Sequence, residues 1–419
     1  MDTEIFELFG EPVTVGTLLI PVFAGAIGYF TNWVAIKMMF LPIEFVGWRL
    51  PFKLGFGKYK FPLLGWQGVI PSKAAKMGSI AVDTGLAKLG SMHEFYKELE
   101  PEVMAAQILE VSRDQIHATV DEIIQHEYPD LWAAAPDPVK RLVHERVDAQ
   151  LPQIIAEVMN GIGDNIDRLI DLKLMVIRFL EANPRLINQI FLDVGAKEFR
   201  FIVASGAWMG FLLGLGPMLL WIVYPAWWTV PVGAAIVGYL TNYIALKVIF
   251  EPVEPTRVAG IRMHGLFLRR QDEVAEAYAD IIAFKVVTLK NVADTMIYGP
   301  DGDRTKRLIA DIVGPVVDDS MGVARPLVQA AAAGRYETIK SELAQRTFAE
   351  TSTVLLDEEF GRERAKGLQR LLAKRMKELA YPEFAQMLRS AFQQDEWMLI
   401  SVGAVLGFGA GVIQVFTTL

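Results

Sequence analysis

Gly28-Tyr29-Phe30-Thr31-Asn32-Trp33-Val34-Ala35-Ile36-Lys37-Met38-Met39-Phe40-Leu41-Pro42 returns in this chain as Gly238-Tyr239-Leu240-Thr241-Asn242-Tyr243-Ile244-Ala245-Leu246-Lys247-Val248-Ile249-Phe250-Glu251-Pro252. The match runs without a gap from Pro21–Glu44 to Pro231–Glu254, and 12 of its 24 positions are identical. Most other positions exchange one apolar residue for another. A second match pairs Gly206–Gly214 with Gly403–Gly411. Each half of the chain therefore opens with one apolar segment and closes with another, which reads as an internal duplication. The halves differ mainly by an insertion between Val46 and Gly65.

Four apolar segments reach the ~20 residues needed to cross a bilayer core. They are about Val15–Leu41, Phe201–Val223, Val230–Phe250 and Trp397–Phe416. The second and third are joined by Tyr224-Pro225-Ala226-Trp227-Trp228-Thr229, whose aromatics suit a membrane interface. Two long polar regions lie between spans, and both show helical periodicity. The expected helices are Ala75–Leu99, Glu102–His126, Val139–Met159, Asp164–Leu180, Val274–Tyr298, Arg304–Val328, Glu337–Leu356 and Ala365–Leu379. Breaks are expected at Glu100-Pro101, Tyr128-Pro129, Pro136–Pro138, Gly161, Asn183-Pro184, Gly299–Gly302, Gly334, Gly361 and Tyr381-Pro382.

The fold class is thus all-α: an integral membrane protein with four transmembrane helices and two long helical extramembrane regions. The order along the chain is an acidic segment 1–14, a span 15–41, a basic-aromatic surface segment 42–71 and a helical domain 72–200. Spans 201–223 and 230–250, a second helical domain 251–396 and a last span 397–416 follow. The acidic start, with Asp2, Glu4, Glu7 and Glu11, is unlike a secretory signal, so the first span is expected to be retained as an anchor.

Composition agrees with a mixed protein of a few spans and large polar parts. The chain has 419 residues, 52% of them hydrophobic and 21% charged, with mean hydropathy +0.30. There is no cysteine, which excludes disulfides, thiolate metal sites and cysteine nucleophiles. The net charge of −8 argues against nucleic acid as a partner. Bases near the span ends, such as Lys53, Arg185, Lys197, Arg200, Arg257, Arg269 and Arg270, all fall on the side of the polar regions. The positive-inside rule then places those regions in the cytoplasm and both termini opposite.

Inside the spans, Ala24, Gly28 and Asn32 stand four apart, with Thr31 and Ala35 beside them; Ala234, Gly238, Asn242, Thr241 and Ala245 repeat the stripe. Small and polar residues in this pattern make a helix-packing face. A buried amide such as that of Asn32 needs a partner, either Asn242 or the backbone of a glycine-bearing helix. The alternative is a polar substrate or ion site at the repeat interface. Gly206, Gly210 and Gly214, and again Gly403, Gly407 and Gly411, cut grooves that admit a second helix closely, within the chain or between copies.

Tyr29, Trp33 and Lys37 form another stripe, repeated by Tyr239, Tyr243 and Lys247. Lys37 lies about 180° from Gly28 at ~100° per residue, outside the seam. These lysines are expected to snorkel to the interface, either as plain anchors or as ligands of lipid phosphate. The segment Phe45–Trp66 mixes Trp48, Phe52, Phe56, Tyr59 and Phe61 with Arg49, Lys53, Lys58 and Lys60. That composition fits anionic headgroups, or else a soluble amphipathic hairpin. Gly68–Lys73 is echoed by Gly265–Arg270, so Lys73, Arg269 and Arg270 are expected in first helical turns. The macrodipole disfavours a cation there, which points to an outside partner such as a phosphate.

The residues Gly-Tyr-x-Thr-Asn-x-x-Ala-x-Lys-x-x-Phe-x-Pro, the Gly68–Pro71 element and the glycine-rich closing span resemble the bacterial membrane-protein family called domain of unknown function 445. The likeness covers essentially the whole chain, with Leu268 departing from the proline of the element. It implies a bacterial inner-membrane location and no settled activity.

No phosphate loop, zinc helix or nucleophile elbow is present. The nearest approach to a metal site, Asp114-x2-His117-x3-Asp121, reads as a solvated helix face, and His93, His126, His144 and His264 have no partner at ligand spacing. No catalytic residue, metal or cofactor is expected. Two function classes remain: a self-assembling membrane scaffold that contacts anionic lipid, and a lipid transporter working along the repeat interface or the helical regions.

Overall fold

The computed structural model describes residues 4–8, 11–48, 64–127, 129–258, 260–321, 357–393 and 396–418. These are mostly helical and include three two-stranded hairpins. Among them, four helices are long and apolar enough to cross a membrane: Val15–Phe40, Pro184–Val223, Thr229–Phe250 and Glu396–Thr417, here the first to fourth spans. The chain divides into two compact units. One comprises Met1–Gly85, Ile177–Tyr278 and Met376–Leu419; the other comprises Leu86–Val176 and Ala279–Arg375. The second unit thus draws on both polar regions.

In the span unit, the acidic start forms a strand pair, Glu4–Leu8 with Glu11–Thr14, where the sequence showed no strand pattern. The Thr14 hydroxyl accepts from the Thr17 N–H at 3.3 Å and caps the first span. The second span differs from its expected start at residue 201. It is one uninterrupted helix of 40 residues, about 60 Å long and twice the ~30 Å hydrocarbon core. Pro184 starts it at a first-turn position, where the missing N–H costs nothing. The first span packs on the second and the third on the fourth.

Each opening span ends alike. The peptide bonds Leu41–Pro42 and Glu251–Pro252 are both cis. The Gly68 N–H donates to the Pro42 carbonyl at 2.9 Å, and the Gly265 N–H to the Pro252 carbonyl at 3.0 Å. A Cβ at Gly68 would press on the Phe40 and Leu41 backbone, and one at Gly265 on Ile249 to Glu251. Only glycine lets the chain return so closely to the span it has just left.

Several expected helix boundaries are corrected, among them the run expected as Asp164–Leu180, which stops at Leu169 and restarts as Leu172–Ala182. The helix expected over Ala75–Leu99 breaks at Gly90, and Ser91 starts the Met92–Glu98 helix with a capping box. There Glu94 N–H donates to Ser91 Oγ at 3.2 Å while Ser91 N–H donates to Glu94 Oε2 at 3.0 Å. Thr288 caps the Leu289–Tyr298 helix through its hydroxyl alone, which accepts from the Asn291 N–H at 3.1 Å, inside the run expected as Val274–Tyr298. Conversely, Gly161 ends nothing, because the helix runs through it from Asp137 to Leu169. A Cβ there would strike Ile312 of the Gly302–Met321 helix, so this glycine serves close packing. Gly361 likewise lies inside the Glu358–Glu378 helix. The helix expected over Glu337–Leu356 lies outside the described residues.

The second unit is built around the Asp137–Leu169 helix, which packs on Pro101–Glu127, Met92–Glu98 and Gly302–Met321. Phe95 is fully buried, and the buried Tyr96 donates its hydroxyl to the Met159 carbonyl at 2.9 Å. Arg375 clamps Glu94 through two bonds of 2.6 and 2.9 Å and donates to the Leu89 carbonyl at 2.7 Å.

Candidate functional site

The two span seams bring the small and polar residues together. At the first seam the Asn32 amide donates to the Ile202 carbonyl at 2.7 Å, and Ser205 Oγ donates to the same oxygen at 2.9 Å. The Thr31 hydroxyl folds back onto the Gly28 carbonyl. A methyl group at Gly28 would overlap the Gly206 carbonyl oxygen, one at Gly210 the Ala24 carbonyl, and one at Gly214 the Ala24 side chain. The second seam repeats these relationships apart from that of Ser205, whose place Val402 takes. Asn242 donates to the Leu399 carbonyl at 2.8 Å and Thr241 to the Gly238 carbonyl. Methyl groups at Gly238, Gly407 and Gly411 would overlap Gly403, Ala234 and Pro231 respectively. Of the two partners open to Asn32, the backbone of the glycine-bearing helix is the one it uses. The reason is access: without a Cβ at Gly206, the helix surface recedes and its carbonyls come within reach of a short amide.

The aromatic-lysine stripes lie on the other side of their helices. Tyr29, Trp33, Tyr239 and Tyr243 are all more than two-fifths exposed. Lys37 Nζ stands 5.9 Å from the Trp33 ring centroid and Lys247 Nζ 5.5 Å from that of Tyr243. These are cation–π distances. Lys247 also reaches the Tyr243 hydroxyl at 3.4 Å and Glu251 at 3.5 Å.

The two returning elements hold the bases differently from expectation. Lys73 stands at the junction of the Val69–Ser72 and Ala74–Ile80 helices, not in the first turn of a long one. Arg269 is exposed in a short turn, Leu268–Arg270. Arg270 has carboxylates where a phosphate was expected. It bonds Glu198 at 2.6 Å and Glu273 at 2.9 Å, and Lys197 adds a 2.6 Å bond to Glu273. Glu198 is only 4% exposed, and its Oε2 has no hydrogen-bond partner among the described residues. Burial pushes the Arg270 guanidinium down, but its bonds to Glu198 and Glu273 outweigh this and raise it overall. Lys197 first and Arg270 second hold the Glu273 carboxyl below its ordinary value. Trp66, Gln67 and His264 bond carbonyls just past the span ends, at Leu41, Ile43 and Val253. Arg49, Lys53, Lys58 and Lys60 lie outside the described residues.

Among the described residues, no group of three or more His, Asp or Glu side chains is placed to hold a metal ion. The face carrying His117 and Asp121 is nevertheless not simply solvated. His117 Nε2 lies 2.9 Å from Asp148 Oδ1, and His144 Nε2 lies 2.8 Å from Asp121 Oδ1, across two helices. Spacing along the chain could not show a partner that arrives from another helix.

No family model matches the chain. No solved structure matches it. A UPF0754 membrane protein of Nostoc sp. (strain PCC 7120) is 29% identical over 175 residues, which is 41% of this chain and 33% of that protein. Another, of Nostoc punctiforme, is 28% identical over 179 residues, 41% of this chain and 34% of that protein. The match therefore spans about a third of the length of these curated relatives. Together with four helices able to cross a bilayer, this similarity to membrane proteins marks the chain as a multi-pass membrane protein.

Proposed function

We propose that the protein is a non-enzymatic, self-assembling helical scaffold of the bacterial inner membrane that contacts anionic lipid. In this reading the duplicated seams hold the spans rigidly, and the helical regions stand on the cytoplasmic side. The observation that carries it is the double use of each seam. Asn32 with Ile202, and Asn242 with Leu399, spend the span amides on the facing backbone while the glycines at Gly206 and Gly403 close the gap. Polar residues consumed in this way serve assembly rather than a moving substrate. The same glycines face inward to their own seam, so contacts between copies fall to exposed faces such as that of Trp208 and Phe211. The stripes ending in Lys37 and Lys247 supply the lipid contact.

The test reconstitutes the full chain in nanodiscs and in liposomes. Native mass spectrometry counts subunits and bound lipid, and a fluorescent-lipid exchange assay between liposomes reads transport. Stable oligomers with retained anionic lipid and background exchange are the expected result. Monomers, or exchange well above protein-free liposomes, would overturn the scaffold, and the latter would favour a lipid transporter.

A further inference from the structure

The two opening spans match closely at their ends, but one charge is exchanged. Lys247 is followed four residues on by Glu251, whereas Lys37 is followed by Leu41. Residues four apart share a helix face. Glu251 accordingly stands 3.5 Å from Lys247. The exchange extends beyond that pair. Glu251 also bonds Arg389 at 3.3 Å, and Arg389 bonds Glu396, at the start of the fourth span, at 3.2 Å. In the register that pairs Gly206 with Gly403, the places of Arg389 and Glu396 are taken in the first half by Leu192 and Phe199. Phe199 lies edge-on to Phe40, with ring centroids 5.2 Å apart. Two bases and two acids thus form a neutral network at the end of the third span. At the matching end of the first span, the exposed Lys37 has the Trp33 ring, 5.9 Å from its Nζ, and no carboxylate among the described residues.

We propose that the chain holds one anionic phospholipid, with its phosphate on Lys37 and its acyl chains along Tyr29, Phe30 and Trp33, and that the third span lacks this site because Glu251 engages its lysine. The site rests on the lipid contact proposed above and narrows it to one of the two stripes. An interfacial lysine without a counter-ion attracts anionic headgroups. Tyr29, Phe30 and Trp33 are all exposed, so an apolar strip runs from the ammonium along the span. A free phosphate would use the lysine and leave that strip uncovered, whereas a lipid covers both. On the third span, a phosphate reaching Lys247 would stand beside the Glu251 carboxylate and be repelled by it. Arg389 does not compensate, because it is shared between Glu251 and Glu396.

The experiment titrates the full chain in detergent with phosphatidylglycerol, and separately with phosphatidylcholine, and counts bound lipid by native mass spectrometry. One phosphatidylglycerol per chain, held more tightly than phosphatidylcholine, is expected. K37Q should weaken it about fivefold, which corresponds to the ~1 kcal/mol of one base near an anionic surface. L41E copies the third span at an exposed position and should weaken it at least as much. K247Q should cost less than twofold, and E251L, which copies the first span, should add a second lipid. K140Q alters a lysine that also stands near a tryptophan, 5.4 Å from the Trp132 centroid, but outside the spans, and should change nothing. Melting temperatures confirm that each variant is folded.

Losses in K247Q or K140Q equal to that in K37Q overturn the single site. So does full binding in L41E, or the absence of a second lipid in a folded E251L. These results leave the lipid contact of both stripes standing. No preference for phosphatidylglycerol in the unaltered chain overturns that contact and the single site together. Displacement of the lipid by inorganic phosphate would overturn the lipid as occupant and mark Lys37 as a site for the free anion.

Discussion

The Asn32 side-chain amide donates to the Ile202 backbone carbonyl at 2.7 Å, across the seam between the first and second spans. Asn242 makes the equivalent bond to Leu399, and the two asparagines do not bond one another. Each seam therefore holds its own polar latch. Interhelical bonds of this kind average about 0.6 kcal/mol and reach ~1.7 kcal/mol. N32L and N242L should each lower stability by that order. The double variant should lose the sum to within about 0.5 kcal/mol, because the latches share no partner. A thermal-melt cycle of the four proteins checks this, and strong coupling between the sites would show a direct contact.

Gly210 and Gly407 face the Ala24 and Ala234 carbonyls. G210L and G407L must push the paired helices apart and should each cost about 1–3 kcal/mol. Val405 is 69% exposed, so V405L is the neutral control. Met209, the chain neighbour of Gly210, is buried and is no such control. Melting temperature in detergent reads the difference, and equal behaviour of G407L and V405L would remove the seam from the argument.

Arg270 and Glu198 should show the asymmetry of a buried ion pair. R270Q leaves the buried Glu198 carboxylate without its cation, which costs about 3–5 kcal/mol. E198Q/R270Q removes both charges and should recover most of that loss. If the double variant is no more stable than R270Q, the pair is not what holds this element.

Glu94 predicts an acid limb. The Arg375 guanidinium first, then the Ser91 N–H, hold its carboxyl at about 2 against an ordinary 4.5. A lowered folded value means the contribution is complete above about 4.5 and is lost as pH falls through about 2. The melting temperature of the unaltered chain should fall over that window. R375Q should lower it at neutral pH and flatten the acid limb, as circular dichroism melts would show.

The lipid contact is tested by K37Q/K247Q/R269Q, which leaves the engaged Arg270 in place. Each base near an anionic surface contributes about 1 kcal/mol, screened by salt. The triple variant should co-purify with less phosphatidylglycerol and cardiolipin while keeping its melting temperature. Unchanged lipid content by native mass spectrometry would reduce the stripes to plain interfacial anchors.

Much was legible along the chain because it depends only on local residues. Apolar runs of sufficient length mark the spans, periodicity marks the helices, and the small-residue stripe marks which face of Val15–Phe40 packs. The capping box at Ser91 was legible too, in Ser-x-x-Glu, although the apolar period running across it hid the break. What a single glycine does was not legible. Gly161 and Gly90 look alike in sequence, yet one admits Ile312 from a distant helix and the other ends a helix. Partners that come from elsewhere in the fold were equally hidden. Asn32 had two possible partners and tertiary packing selected Ile202; Arg270 met Glu198 and Glu273 instead of a phosphate; His117 met Asp148 and His144 met Asp121. Local pattern specifies which residues are helical and which face is apolar, whereas the pairing of buried polar groups depends on which backbones and side chains packing brings within 3 Å or so.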